Sequence, residues 1–427
     1  MRQIENKLEK NNNIKASMKE TLNRRKSQFC RIYELKIQNN KLSAKQKEQL
    51  KMLFVEAKWL YNDILNWSEL NVENTVFNYT IKNVVDVKLK DGTFIQKELN
   101  TIGSQMKQSV HKQICSSIKT LSTLKKTGHK VGKLKFKSDY NSINLKQFGT
   151  TYRFYNNHKA KIQGIHGKIH LNGLDQIKNN VEFANAKIVK RQNGYYLLVT
   201  TYTDNKFKKS YKNQKSDVGI DMGCLTSLTL STGEKIDVKI EESEHLKHYQ
   251  RKMFKQKKGS NNRHKTINKI QKEHQKINNK KKDITNKLVN YLNSNFRYIF
   301  IQDEQLTKWH KTGHGKAIQH SILGRIKNKL KSQNNCYVIS KWLPTSKYCY
   351  DCGIKHTLLS INDREFVCPS CGVVYDRDVH AATNILKYGL DLVPPEQRKF
   401  MLSDSESYTG IFDTSKVWDM TKEATNL

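Results

Sequence analysis

Acidic residues are scarce in this chain of 427 residues: 39 Asp and Glu stand against 77 Lys and Arg, a formal net charge of +38. Such an excess argues against cationic partners and for a polyanion. Nucleic acid fits best, because neutralised phosphates release their counterions. An AT-rich gene would explain lysine over arginine, but not the missing acids. Apolar residues are sparse too, at 36%, and no run of about 18 of them occurs, which excludes a transmembrane helix. The N-terminal stretch MRQIENKLEKNNNIKASMKE lacks the apolar core of a secretory signal. The expectation is a cytoplasmic protein with reduced thiols, long enough for two to four domains.

Residues 1–26 are polar without an apolar stripe and read as a floppy basic arm. FCRIYELKIQ alternates like a strand. From Ser43 the apolar positions Leu50, Leu53, Phe54, Ala57, Leu60 and Ile64 recur near a period of 3.6, predicting a helix. Asp91-Gly92 marks a hairpin turn, and a second helix is predicted over 102–127. From 131 to about 204 short strands and turns predict a small barrel, with Asn193-Gly194 at one hairpin. Lysines and aromatics interleave there: Lys135, Phe136, Lys137, Tyr140, Tyr152, Phe154 and Tyr155. That mix suits a surface that stacks bases and grips phosphates, or equally a barrel with a basic exterior. Three strands are predicted in 217–238 and a long basic helical stretch in 243–295, broken near KQKKGSNNRHK. A strand ending in Gln302, Asp303 and Glu304 follows, then a helix over 315–333 and a strand over 336–342.

Two constellations carry chemistry. Cys349-x-x-Cys352 is followed, after fifteen residues, by Cys368-x-x-Cys371, and each pair ends in glycine, Gly353 and Gly372. This is the spacing of a four-thiolate zinc site with no open position, hence structural. The remaining cysteines, Cys30, Cys115, Cys224 and Cys336, are scattered and read as small buried hydrophobes. The second constellation is acidic. Asp221 lies on the first strand of a meander, Asp378 at the start of a late helix, and the strand ending at 302–304 offers a third acid. Hard cations prefer oxygen ligands, and two Mg2+ ions about 4 Å apart stabilise both the attacking and leaving oxygens of a phosphodiester. Asp378 could instead cap its helix, a role Asp376 could also fill.

The segments VGIDMGCLTSLTLSTG, YIFIQDEQL, PTSKYCYDCG and CPSCGVVYDRDVHAATNIL occur in the order seen in the transposon-encoded TnpB (OrfB) proteins. The chain resembles that family, RNA-guided DNA nucleases related to the type V CRISPR effectors, specifically over roughly 217–388. The resemblance implies an α+β multi-domain protein. Its parts would be a flexible basic arm (1–26), a wedge β-barrel (27–41 and 130–215), a helical recognition insert (42–129), an RNase-H-like RuvC nuclease domain (216–345 and 374–390), a zinc ribbon (346–373) and a disordered tail (391–427). It implies a guide RNA and a double-stranded DNA target with an adjacent motif as partners. Two Mg2+, or Mn2+ in their place, would be held by Asp221, Glu304 and Asp378, and one Zn2+ by the four cysteines.

Two positions depart from the family pattern. Gln302 stands where the family has its catalytic Glu, and an amide is a poor Mg2+ ligand. Alternation along a regular strand puts Glu304 on the same side as Gln302, about 7 Å further on, and Asp303 on the other. Glu304 is therefore expected to complete the triad, with Asp303 as the alternative if the strand bulges. His380 stands where the family more often has Asn, and is expected either to neighbour the metal site and meet the scissile phosphate or to serve the helix start. Two alternatives remain: a guided DNA-binding repressor without cleavage, and a guide-free transposase-type nuclease.

Overall fold

A chain with this little apolar material must concentrate it, and it does so in two units, Met1–Lys209 and Ser210–Leu427. The computed structural model describes residues 2–394 except 71–72, 74, 90, 157, 179, 208–215, 312–314 and 357–362. Most of the tail expected from 391 onward thus lies outside the described residues.

In the first unit the expected floppy arm is instead a helix, α1 (Arg2–Lys26). It contains no Gly or Pro to break it. At its C-terminal end Arg24 and Arg25 pair with Glu182 at 3.1 and 2.9 Å, and the Arg25 guanidinium lies 4.1 Å from the Tyr202 ring centre. Strand β1 (Gln28–Ile37) leads to α2 (Ala44–Leu70). A reciprocal capping pair fixes the start of α2: the Ser43 hydroxyl accepts from the Gln46 amide at 3.2 Å, and the Gln46 side chain accepts from the Ser43 amide at 3.0 Å. Hairpin β2 (Val84–Lys88) and β3 (Phe94–Glu98) turns at Asp91-Gly92 as the sequence predicts, with Gly92 at φ +92°. Helix α3 (Ser104–Lys126) follows.

Strands β4 (Ser142–Leu145), β5 (Tyr152–Tyr155), β6 (Lys159–Ile162), β7 (Ile169–Asn172), β8 (Glu182–Arg191) and β9 (Gly194–Asp204) complete a seven-stranded sheet. Its order is β4-β8-β9-β1-β7-β6-β5 with antiparallel neighbours, and it curls into a nearly closed barrel. The helical insert has no core of its own. Leu50, Leu53 and Ile64 of α2 and Met106 of α3 share one continuous buried cluster with Leu35, Ile143 and Leu197 of the barrel.

The second unit begins with β10 (Ser216–Asp221), β11 (Leu228–Leu230) and β12 (Lys235–Ile236). Helices α4 (Glu244–Phe254) and α5 (Asn261–Asn295) follow, each started by a serine hydroxyl, Ser243 and Ser260. Next come β13 (Phe296–Gln302), α6 (Leu306–Lys311), α7 (Gly315–His320), α8 (Leu323–Lys331) and β14 (Cys336–Ile339). The single helix predicted over 315–333 is thus two. A small hairpin, β15 (Glu365–Val367) and β16 (Val374–Asp376), precedes α9 (Arg377–Leu390).

The five-stranded sheet has the order β12-β11-β10-β13-β14; β10 to β12 form an antiparallel meander, while β13 and β14 run parallel to β10. Helix α9 lies directly on β10, because Gly219 offers no side chain: a Cβ there would stand 2.0 Å from the Ala382 carbonyl oxygen. Gly389 allows the same closeness to Phe300. Among the described residues no helix is long and apolar enough to cross a membrane.

Candidate functional site

The sheet's alternation fixes where Asp221 and Gln302 face. Gly219 and Phe300 meet α9, so two residues further along each strand, Asp221 and Gln302 lie on that same side. Ile220 pairs with Ile301, which sets Gln302 level with Asp221. Helix α9 then brings Asp378 in from its first turn. The capping role belongs to Asp376, whose carboxylate accepts from the Asp378 and Val379 amides, both at 3.1 Å, and pairs with Lys235 at 2.6 Å. Asp378 is thereby spared that task.

Gln302 is buried and spent on structure. Its amide nitrogen donates to the Ser340 and Leu343 carbonyls at 3.1 and 2.8 Å, and its oxygen accepts from Thr345 at 3.2 Å. The regular strand assumed for Glu304 stops here. The Asp303 amide still bonds to Ile339, but the Glu304 amide turns back onto the Gln302 carbonyl at 2.9 Å. A tight turn, not the pleat, therefore sets the direction of Glu304. Asp303 is held elsewhere, by Lys327 and Lys331 of α8 at 2.9 and 2.6 Å, and these ammonium groups keep its carboxyl down at about 2. Lys327 also donates to the Glu304 carbonyl.

Asp378 and Glu304 both lie close enough for their charges to act on Asp221. Burial pushes the Asp221 carboxyl up to about 7, helped by the charges of Asp378 and then Glu304. Burial likewise raises Glu304. Asp221, with the charges of Asp378 and Glu304 acting on it, belongs to an oxygen donor set suited to a hard cation. The three acids are not drawn tight: among the described residues only the cysteines bring three or more such ligand atoms within 4.8 Å of one another.

That cysteine cluster is compact. The sulfurs of Cys349 and Cys371 stand 3.7 Å apart, those of Cys352 and Cys368 3.5 Å. A disulfide would need roughly 2 Å, whereas a tetrahedral ion with bonds of about 2.3 Å separates its thiolates by about 3.8 Å. Each knuckle turns through a glycine at φ +72°, Gly353 and Gly372. Their amides bond back to the Cys349 and Cys368 carbonyls, both at 3.0 Å. The surrounding core is small, Phe366 with Val373 and Tyr375.

Two residues expected at nucleic acid are buried instead. His380 is 1% exposed and stacks on Phe366 with ring centres 4.0 Å apart, while its Nε2 accepts from the Tyr350 amide at 3.2 Å. It ties the cysteine ribbon to α9 rather than meeting a phosphate. Tyr140 is 2% exposed and donates to Gln113 at 2.7 Å. The Lys137 ammonium sits 4.0 and 4.5 Å from the ring centres of Tyr61 and Tyr140. Lys135 and Phe136 remain exposed. Sequence reasoning missed Lys327 and Asn384, whose amide donates to the Thr345 and Tyr348 carbonyls, both at 2.8 Å. The one available signal for Asn384 was its place six residues after Asp378 on the same helix.

A family model described as "Probable transposase" matches residues 198–305, and one described as "Cas12f1-like, TNB domain" matches residues 320–385. The first range holds Asp221 and Glu304; the second holds the four cysteines and Asp378. A curated protein of Streptomyces pristinaespiralis, described as a "Putative RNA-guided DNA endonuclease", is 37% identical over 182 residues, 40% of this chain and 45% of that protein. The match thus spans under half the length of that relative. A chain of the solved "Cas12f1-sgRNA-target DNA complex" aligns with a TM-score of 0.42 at 12% identity, covering 84% of this chain and 99% of the other.

Proposed function

We propose, from the chain's place in the TnpB-like family, that it is an RNA-guided DNA endonuclease whose RuvC-type site is built from Asp221, Glu304 and Asp378. The observation that carries this reading is that Asp221 lies with the charges of Asp378 and Glu304 near it, burial first and those two acids next raising its carboxyl to about 7. The sheet order, a three-strand meander continued by two parallel strands, supports an RNase-H-like domain. The acids would hold two Mg2+, which supply charge stabilisation at the attacked phosphate. The protein's own part is to position them. Gly219 lets α9 set Asp378 over β10, Asp376 relieves Asp378 of capping, and Lys327 and Lys331 draw Asp303 away so that Glu304 is the acid presented. The four thiolates would hold one structural Zn2+. Guide RNA and a double-stranded target with its adjacent motif are the proposed partners, with base pairing reading sequence and the basic surface holding backbone.

Gln302, spent on hydrogen bonds level with Asp221, favours a second reading, guided binding without cleavage. One assay separates the two. With its co-purifying RNA and Mg2+, the unmutated protein should cut target DNA. Glu304→Gln and Asp221→Asn should cut at least a hundredfold more slowly while still binding, and Asp303→Asn should retain most activity. Loss in Asp303→Asn with full activity in Glu304→Gln would reassign the third ligand. Target binding by an uncut, unmutated complex would establish the repressor.

A further inference from the structure

We propose that Trp342, flanked by Lys341, is a stacking platform that holds one unpaired nucleobase beside the carboxylate site. Trp342 is 79% exposed, the highest value among the large hydrophobics of the described residues. Large exposed aromatics usually sit on loose tips, but this one stands on an anchored loop. Gln302 donates to the carbonyls on either side of it, at Ser340 and Leu343, and the Trp342 amide itself bonds to the Ser340 hydroxyl at 3.3 Å. Thr345 links the loop to Gln302 and, through its carbonyl, to Asn384. The loop is thus stapled to the strand that leads into Glu304 and to the helix that carries Asp378. A carboxamide makes both Gln302 donations and accepts from Thr345 as well, whereas a glutamate carboxylate there could accept but not donate. The residue lost to the metal site at 302 is the one that rigidifies the tryptophan's perch.

The occupant follows from charge and shape. The Lys341 ammonium lies over one face of the Trp342 ring, 4.6 Å from its centre, so a phosphate-seeking group is held against the indole while its other face is the one offered to a base. The ribbon repeats the pairing: Tyr350 is 38% exposed, with Lys387 5.0 Å from its ring centre and donating to its carbonyl at 3.0 Å. A second copy of a chain carrying +38 would be repelled from such a surface. A duplex hides its base faces inside the stack, so the indole fits an unpaired base, with the neighbouring phosphate on lysine. The inference rests on the nuclease reading only for why a single strand should lie there.

The test is a binding measurement without metal, so that no strand is cut. The full chain with its co-purifying RNA is titrated with a short oligothymidylate and with a duplex of equal length. The oligothymidylate should quench part of the tryptophan emission, and Trp342→Leu should lose that quench and weaken single-strand binding roughly five- to hundredfold. Duplex affinity should change by less than about twofold, and Trp342→Phe should recover most of the single-strand affinity, since a smaller ring still stacks. Equal oligothymidylate affinity in Trp342→Leu, or equal weakening for both probes, would overturn the proposal. So would absent oligothymidylate binding, or a dimer that Trp342→Leu dissociates. Cleavage by the unmutated protein with Mg2+ tests the nuclease reading separately, so either can fail without the other.

Discussion

Asp221 titrates against its neighbours, and this has a consequence for stability. Its carboxyl is raised from 3.8 to about 7, first by burial and then by Asp378 and Glu304. In the unfolded chain it loses its proton near the ordinary value. Below that value both states are protonated and the residue contributes nothing. As pH rises toward about 7 the unfolded chain ionises first, so stability falls, and above that it levels off. At 1.36 kcal/mol per unit the full loss is at most about 4 kcal/mol. Asp221→Asn should therefore melt higher than the unmutated protein in metal-free buffer above pH 7, and no differently in acid. Parallel melting profiles across that range would mean that the fold does not raise the Asp221 carboxyl. At the same scale, the clustering of the four cysteines was readable because their spacing is local, and Asp221 and Asp378 were singled out because each stands in a short motif. Glu304 was picked for the wrong local reason: a turn and two lysines of α8 decide its direction, and neither is visible in QDE.

Helix α9 is the element that carries Asp378 and meets the cysteine cluster through His380. It packs on β10 through Gly219, and a methyl there would meet backbone atoms at 2.0 and 2.5 Å, which cannot rotate aside. Gly219→Ala should destabilise the second unit by about 1–3 kcal/mol; an unchanged urea midpoint would show that α9 has room to shift. The first turn of α9 is also bound to the ribbon through His380, sandwiched against Phe366 and Tyr375. Removing zinc from metal-loaded protein should melt the ribbon, since metal binding there is folding energy, and should raise amide exchange at Val379 and His380. Protection unchanged at those amides would separate the ribbon from the acidic site. Helices α2 and α3 were legible from their periodicity and turn signals. Helix α1 was not, because a mostly exposed helix needs no apolar stripe, only the absence of breakers and an anchor such as Glu182 far along the chain.

For the whole molecule the charge of +38 dominates. Nucleic-acid affinity should fall steeply with salt, by about a thousandfold between low and moderate ionic strength if six or more phosphates are neutralised. A flat dependence would put recognition in neutral contacts instead. Charge, the cysteine cluster, the hairpin turns and the amphipathic helices were determined by the sequence alone, because each arises from residues within a few positions of one another or from a sum over all of them. Tertiary structure decided the rest. It buried Tyr140 and His380, merged the helical insert with the barrel core, and gave capping to Asp376. It also turned Gln302 from a candidate ligand position into the staple of the Trp342 loop. Those outcomes depend on which side chain meets a partner tens or hundreds of residues away, and burial and hydrogen bonding at such contacts arise only when the chain has closed on itself.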